Sequence, residues 1–177
     1  MVEALERRRA QFFAEQETRW SSRKSRDTGG RFKVVQCGRP SATNGVGIIV
    51  SERFRDSIVS VERFNDRLMK IVVAAKERLY HISLRMLRRL GTSGKGEFWS
   101  RLDEETAEAP TKDVVIVAGD LNGHVGAMKD GHSCHGGFEY GSRNAYGERI
   151  LEYAESHNLT AVNTGFPKTR LPPHFIQ

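Results

Sequence analysis

One ten-residue segment, Val114–Gly123 (VVIVAGDLNG), constrains the fold more than any other part of this sequence. Its first five residues are apolar and mostly β-branched, which is typical of a strand buried in a sheet. Gly119, Asp120 and Asn122 follow, so polar groups stand directly where the strand ends. In α/β proteins, functional groups converge at the carboxyl ends of strands. The segment therefore predicts a buried strand with candidate functional groups at its end.

The rest of the chain alternates between strand-like and helix-like patterns. β-Branched or alternating runs predict strands, and runs with a helical apolar period predict helices. Strands interleaved with helices favour an α/β sandwich, and no linker divides the chain, so residues 1–177 are interpreted as one domain. Strands are predicted at residues 11–15, 31–37, 45–50, 57–63, 67–74, 79–83, 114–118 and 160–163, helices at 2–10, 97–106 and 148–157, and loops at 21–30 and 119–141.

The charge of the chain is uneven. Residues 1–90 contain 20 Lys/Arg and 10 Asp/Glu, a net charge of +10, whereas residues 91–177 carry −4. A basic half is typical of a protein with a polyanionic partner such as nucleic acid, although a solvated, arginine-rich surface gives the same pattern. No apolar run reaches the roughly 18 residues of a membrane-spanning helix, and the charged N-terminus is unlike a secretion signal. Two cysteines do not make a disulfide framework, so a nuclear or cytoplasmic location is expected.

Asp120 and Asn122 are the first candidate site residues. They are two residues apart, so an extended backbone would point both side chains the same way. Carboxylate and carboxamide oxygens suit Mg²⁺, and an asparagine can hold a phosphate oxygen or a water without adding charge. The sequence Asp-x-Asn-Gly is also a good turn. From this segment alone, a plain turn and a metal-assisted site both stay open.

The second candidate segment is Gln16-Glu17-Thr18-Arg19-Trp20, again at a predicted strand end. Glu17 could supply a further metal-binding carboxylate. Arg19 or Trp20 could line a nucleic-acid groove as a cation or a stacking surface. An ordinary surface pairing of a glutamate with an arginine explains the segment equally well when it is taken alone.

The order and context of these motifs resemble the endonuclease/exonuclease/phosphatase superfamily. The similarity is greatest to the apurinic-type endonuclease domain of LINE retrotransposons of the RTE kind. Many copies of this domain are described as craniofacial development protein 2-like. The similarity runs along almost the whole chain. Its landmarks are QETRW, NGVGIIVSERFRDSIVSVERFNDRLMKIVVAAKERLYHI, EFWSRLDE, VVIVAGDLNGHVG and YGSRNAYGERILEYAESHNLTAVNT.

The resemblance implies a two-sheet α/β sandwich with its active site at one edge, and a Mg²⁺- or Mn²⁺-dependent phosphodiesterase acting on DNA. It implies that Glu17 is the metal ligand and that Asp120 orients or deprotonates the attacking water. Asn122 would bind the scissile phosphate, and Asn144 would contact substrate. This division of roles is chemically consistent, because a metal offsets charge on the phosphate while a carboxylate prepares the nucleophile.

The sequence also departs from the family pattern. The family's first strand with its Asn, and its later strands with an Asp and a Ser-Asp-His motif, are not found in residues 1–177, so an incomplete, truncated sandwich is expected. Residues 84–91 (LRMLRRLG) replace the expected Tyr-Ala-Pro-Gln segment, which is consistent with a frameshift or a mispredicted exon. Two hypotheses therefore stay open. One is a DNA endonuclease impaired by these losses, and the other is an inactive remnant that binds nucleic acid through its basic N-terminal half.

One loop gathers three histidines and a cysteine: His124, His132, Cys134 and His135. Such residue types are zinc ligands. Their spacing, H-x₇-H-x-C-H, matches no common zinc site, so the sequence favours a polar, exposed loop.

Overall fold

The computed structural model describes residues 11–18, 25–27, 32–38, 45–65, 67–87 and 92–167. The chain divides into two compact units, Met1–Asp120 and Leu121–Gln177. The first unit holds the sheets, and the second holds loops around one helix. The interpretation of residues 1–177 as one domain stays a prediction.

The elements of the described chain follow the predicted interleaving of strands and helices. In chain order they are β1 (Phe12–Thr18), β2 (Ser25–Asp27), β3 (Phe32–Cys37), β4 (Gly45–Ser51), α1 (Glu52–Arg55), β5 (Ile58–Asn65), β6 (Leu68–Ala75), β7 (Arg78–Met86), α2 (Thr92–Ala107), β8 (Val114–Asp120) and α3 (Ala145–Ser156), followed by a 3₁₀ turn at Val162–Thr164. No helix within the described ranges is long and apolar enough to cross a membrane.

The first unit contains two four-stranded sheets. One has the strand order β1-β4-β3-β2 and is antiparallel throughout. The other has the order β5-β6-β7-β8, in which β5, β6 and β7 form an antiparallel meander and β8 joins β7 in parallel. The parallel return needs a crossover, and α2 lies between the two strands in the chain. The carboxyl ends of β7 and β8 consequently lie side by side.

The two sheets share one apolar core. Side chains at every second position of β3, β4, β6 and β7 face inward, as the two-residue period of a strand requires. Exclusion of these side chains from water is the main stabilising term. The core residues are Val35, Cys37, Val46, Ile48, Val50, Met69, Ile71, Val73, Ile82 and Leu84. The predicted two-sheet α/β sandwich is confirmed.

Within the first unit, helix α2 is held in place by apolar packing and by a buried ion pair with β7. Phe98, Trp99 and Leu102 are buried, as their helical spacing predicts. Arg85 of β7 is 0% exposed, and its Nη2 donates to Oε2 of Glu105 at 2.5 Å. Burial raises the pKa of Glu105, and the nearby positive charges, with Arg85 first, oppose that rise.

The second unit is organised around α3. Its apolar cluster consists of Val125, Cys134, Leu151 and Ala154. Val125 and Cys134 belong to the long loop before the helix, so the loop buries these two side chains against the helical face, while Met128 and Phe138 of the same loop are exposed. The amphipathic pattern predicted for residues 148–157 is confirmed, with Leu151 and Ala154 inside.

Three local predictions differ from the structure. Residues 160–163 do not form a strand, because the Thr164 hydroxyl donates to Ala161 O at 2.7 Å and closes a 3₁₀ turn after a single bridge between Ala161 and His135. The polar stretch predicted as a loop contains the short strand β2, since pairing with β3 needs only backbone groups. Strand β1 runs on to Thr18, so Glu17 lies within the strand. The helix predicted at residues 2–10 lies outside the described residues.

We expect Glu105→Ala to destabilise the protein by about 3–5 kcal/mol, because it removes the carboxylate that balances a fully buried guanidinium. Glu104→Ala is the matched control, since the Glu104 side chain is 63% exposed and its removal should change stability by about 0.5 kcal/mol or less. Denaturant unfolding measures both. Equal losses in the two variants would contradict a special role for the buried pair.

Candidate functional site at the strand ends

The first sequence motif lies on a β-bulge near the end of β1. Glu15 pairs with Gly47, and Thr18 pairs with Gly45, so two residues of β1 stand opposite Val46 alone. Those two residues are Gln16 and Glu17. Bulges bend a strand and re-aim side chains, and they are frequent beside active sites. Glu17 therefore has its backbone at an irregular point of the sheet edge, and its side chain lies outside the described part of the chain.

Gln16 connects this strand end to the other sheet. Its side-chain amide donates from Nε2 to the carbonyl oxygen of Arg85 at 2.6 Å. Arg85 pairs in parallel register with Gly119, and Met86 pairs with Asp120. The backbone N–H of Leu87 then donates to the carbonyl of Asp120 at 3.1 Å. The end of β1 and the end of β8 are thus held at the same edge of the sandwich.

Gly119 is the point of closest approach in this arrangement. Its φ is +139°, a conformation that side chains strongly disfavour. A Cβ at this position would also overlap the Arg85 carbonyl and approach Nε2 of Gln16 to 2.5 Å. Only glycine lets the backbone pass between these two groups, so this residue determines where Asp120 emerges.

The predicted site residues of the first unit therefore lie on neighbouring elements. Asp120 is exposed at the end of β8, and Glu17 follows Gln16, whose amide contacts the adjacent strand. Glu15, two residues before Glu17, is half-buried, and burial raises the pKa of its carboxyl. Oxygen ligands from carboxylates fit a hard divalent cation.

Asn122, the second residue of the second unit, has an uncommon backbone conformation. It has a φ of +50° and is exposed. Asparagine tolerates this left-handed region better than most residues, because its short side chain bonds locally. Residues 121–126 form no hydrogen-bonded turn. Both interpretations of Asp-x-Asn-Gly, a plain turn and a phosphate-binding role for Asn122, therefore stay predictions.

Asn144 caps α3 and fixes the loop before it. Its Oδ1 accepts hydrogen bonds from the backbone N–H groups of Gly147 at 2.8 Å and His124 at 3.2 Å. Its own N–H donates to the carbonyl of His124 at 3.0 Å. These bonds join the helix N-terminus to the segment that starts two residues after Asn122. Substrate contact by Asn144 stays a prediction beside this structural role.

The long loop of the second unit carries a charged network. His132 has each ring nitrogen beside a carboxylate, with Nδ1 2.9 Å from Oε2 of Glu155 and Nε2 3.2 Å from Oε1 of Glu148. Burial lowers the pKa of His132, but the hydrogen bonds to Glu155 and Glu148 outweigh burial and raise it overall. Arg143 donates from Nη1 to the other oxygen of Glu148 at 3.0 Å, which with His132 lowers the pKa of Glu148.

The four residues of the candidate zinc cluster separate into different environments. His135 is buried and has both ring nitrogens engaged, with Nε2 facing Gly126 O at 2.8 Å and Nδ1 accepting from Gly137 N–H at 2.8 Å. His124 is exposed. His132 and Cys134 approach Glu155, a residue that the loop spacing did not indicate. A sequence signal existed only in the helical placement of Glu148 and Glu155, seven residues apart on one face of α3.

Comparison with known proteins agrees with this architecture. No protein-family model matches the chain. Craniofacial development protein 2 from Bos taurus is 28% identical over 144 residues, which cover 78% of this chain and 24% of the relative. The protein of the same name from Tragulus javanicus is 27% identical over 78% of this chain and 25% of its own length. The chain spans about a quarter of the length of these curated relatives.

One solved structure shares the fold of this chain. The endonuclease domain of TRAS1, a telomere-specific non-LTR retrotransposon, aligns with a TM-score of 0.54 over 88% of this chain and 62% of that domain, at 14% identity. The chain has the endonuclease/exonuclease/phosphatase fold. The resemblance to retrotransposon endonuclease domains and to craniofacial development protein 2 is confirmed. Within this fold, the edge that joins Gln16, Arg85 and Gly119 was not evident from the sequence, because Gln16 acts on a partner 69 residues away.

We expect Gly119→Ala to destabilise the protein by more than about 1 kcal/mol, because the methyl group meets the Arg85 carbonyl and the φ is unfavourable for alanine. Gly96→Ala is the matched control, since Gly96 lies in α2 and a methyl group there would meet nothing within 4 Å. Alanine at position 96 should stabilise the helix by about 0.5–1 kcal/mol. Thermal unfolding compares the two variants. Tolerance of alanine at position 119 would argue against the close approach.

We expect Asn144→Ala to cost about 1 kcal/mol, because two backbone N–H groups lose their shared acceptor. Asn144→Asp keeps an acceptor oxygen at the helix N-terminus and should retain stability. If Asn144 donates its amide N–H groups to substrate, the Asp variant will be stable but will bind substrate more weakly. Unfolding and DNA-binding measurements on both variants separate the two roles.

Proposed function

We propose that this protein is a divalent-metal-dependent phosphodiesterase that nicks DNA. The observation that carries the proposal is the hydrogen bond from Gln16 to the Arg85 carbonyl, which brings the ends of β1 and β8 to one sheet edge. Two carboxyl-bearing residues, Glu17 and Asp120, belong to those strand ends. The solved relative is named as a retrotransposon endonuclease domain, which supports a nuclease over other activities of the fold.

Glu17 would hold the metal ion in this proposal, which we take to be Mg²⁺ or Mn²⁺. The donor set fits such an ion, because the strand ends offer carboxylate oxygens and an exposed Asp120. When bound, the metal would stabilise the negative charge that develops on the phosphate. Nothing in this assignment requires His132, Cys134 or Glu155, which belong to the second unit.

Asp120 would act on the attacking water. Hydrolysis of a phosphodiester forms one P–O bond to water and breaks one P–O bond to the leaving alcohol, so the water must lose a proton. An exposed carboxylate at a rigid strand end can orient that water and accept the proton. Asn122 follows two residues later and would hold a phosphate oxygen, the role that the resemblance gives it. Gly119 and Gln16 act indirectly, by fixing the backbone from which Asp120 projects.

The basic first half of the chain supplies the attraction for DNA in this proposal. The net charge of +10 over residues 1–90 attracts the phosphate backbone of a nucleic acid, and this attraction does not depend on the base sequence. Part of this charge is internal, since Arg85 is buried against Glu105. Binding should therefore depend on salt and weaken as ionic strength rises.

We expect the purified chain to nick supercoiled plasmid with Mg²⁺ and to stop when EDTA is added. Asp120→Asn and Glu17→Gln should each lower the nicking rate at least about a hundredfold, because each removes a group from the reacting centre. Glu77→Gln is the matched control and should keep full activity. Glu77 is an exposed carboxylate in the turn between β6 and β7, at the opposite end of the sheet from Asp120.

The same preparation also distinguishes the alternative hypothesis. Salt-dependent DNA binding that persists in Asp120→Asn, with no nicking by any variant, would favour a nucleic-acid-binding protein without catalysis. Equal nicking by the unmodified chain and by Asp120→Asn would mean that another nuclease is present in the preparation and would contradict the proposed site. Circular dichroism of each variant checks that the fold is retained.

A further inference from the structure

A second constellation of metal-ligating groups lies in the second unit. His132, Cys134 and Glu155 each offer one ligand atom, and these atoms all lie within 4.8 Å of one another. His132 and Cys134 come from the loop before α3, and Glu155 comes from the last turn of that helix. Cys134 is buried and His132 is 11% exposed, whereas Glu155 is 36% exposed, so the cluster has one side open to solvent.

The orientation of His132 is that of a metal-binding histidine. Such histidines place one ring nitrogen on the metal and donate the other N–H to a carboxylate that holds the ring. Here Nδ1 faces Glu155, and Nε2 lies 3.2 Å from Oε1 of Glu148. Arg143 holds the second oxygen of Glu148 at 3.0 Å, so the supporting carboxylate is itself fixed.

The backbone around the cluster is held before any ion binds. The N–H of Ser133 donates to Oε1 of Glu155 at 2.8 Å. The N–H of Ala161 donates to the carbonyl of Cys134 at 2.9 Å, and the thiol of Cys134 lies 3.7 Å from Leu151 O. Both loop residues are thus positioned by contacts on either side of them, and little ordering would remain for an ion to impose.

We propose that His132, Cys134 and Glu155 form a Zn²⁺ site in the second unit. Imidazole and thiolate ligands select zinc over magnesium. One thiolate and one carboxylate would balance the charge of the ion, and the fourth tetrahedral position would be taken by water. Ligand atoms around tetrahedral zinc lie about 3.3–3.7 Å apart, so the ligand atoms that are farthest apart would close from their present limit of 4.8 Å. His132 Nδ1 and Glu155 Oε2, now 2.9 Å apart, would separate slightly. His132 Nδ1 exchanges its contact with Glu155 for the metal in this step.

The bound ion would cross-link the long loop to the end of α3. Its ligands belong to a different unit from Asp120, so its loss should leave the metal requirement for nicking unchanged. A ligand that binds only the folded state raises thermal stability. Zinc should therefore raise the melting temperature of the chain.

The test uses the whole chain, stripped with EDTA and dialysed. Titration with Zn²⁺ should give one ion per chain, and Co²⁺ should produce the near-ultraviolet charge-transfer band of a thiolate ligand. Cys134→Ser should abolish that band, whereas Cys37→Ser should keep it, because Cys37 is the other buried cysteine and donates to Asn65 O in the first unit.

A histidine pair and a carboxylate variant complete the test. His132→Gln should lower zinc affinity at least about a hundredfold, whereas His124→Gln, in the same loop and exposed, should leave it unchanged. Glu148→Gln should lower affinity about tenfold, as expected of a residue that positions a ligand. Absence of zinc binding or of the cobalt–thiolate band in the unmodified chain would overturn the proposal. Equal zinc affinity in Cys134→Ser and the unmodified chain would also overturn it. Where Cys134→Ser fails to fold, retention of the cobalt–thiolate band in Cys37→Ser still assigns the thiolate to Cys134, and loss of that band contradicts the assignment.

Discussion

The packing of two apolar sheet faces is the constraint on which the rest of the first unit depends. Alternate side chains of β3 and β4 meet those of β6 and β7 in one water-free layer. Because a strand repeats every two residues, a slip of one residue in any of these strands would move its whole inner set of side chains to the other face of the sheet. The register is therefore fixed, and with it the level at which each strand ends.

That register brings the strand ends that carry the candidate site residues to one edge of the sandwich. Gln16 reaches the Arg85 carbonyl only because β1 and β7 end at the same level, and Gly119 lets β8 pass beside them. The bulge at Gln16 and Glu17 interrupts the regular alternation at this same place. A bulge or a glycine weakens a sheet locally. Here both occur beside the residues that the family resemblance marks as functional.

The second unit relies on polar contacts to a greater degree. Its apolar cluster is small, and a chain of charge-assisted hydrogen bonds runs from Arg143 through Glu148 and His132 to Glu155. Such bonds are stronger than neutral ones and fix the direction of each side chain. The same chain that orders the loop also orients His132 as a zinc ligand would be oriented, so one network serves both the fold and the proposed site.

The sequence by itself predicted most of the strands and helices and the candidate edge residues. The β-branched run before Gly119 predicted β8, and the runs at residues 57–63 and 67–74 predicted β5 and β6, because these signals are local. The tertiary structure alone decided which groups meet. Gln16 and Arg85 are 69 residues apart, and His132 meets Glu155 across 23 residues, so no spacing rule could pair them. Asn144 caps α3 through Gly147, three residues later in the chain, but only the fold brings His124 to the same oxygen. Local propensity depends on neighbours in sequence, whereas sites depend on register and packing between segments that are distant in the chain.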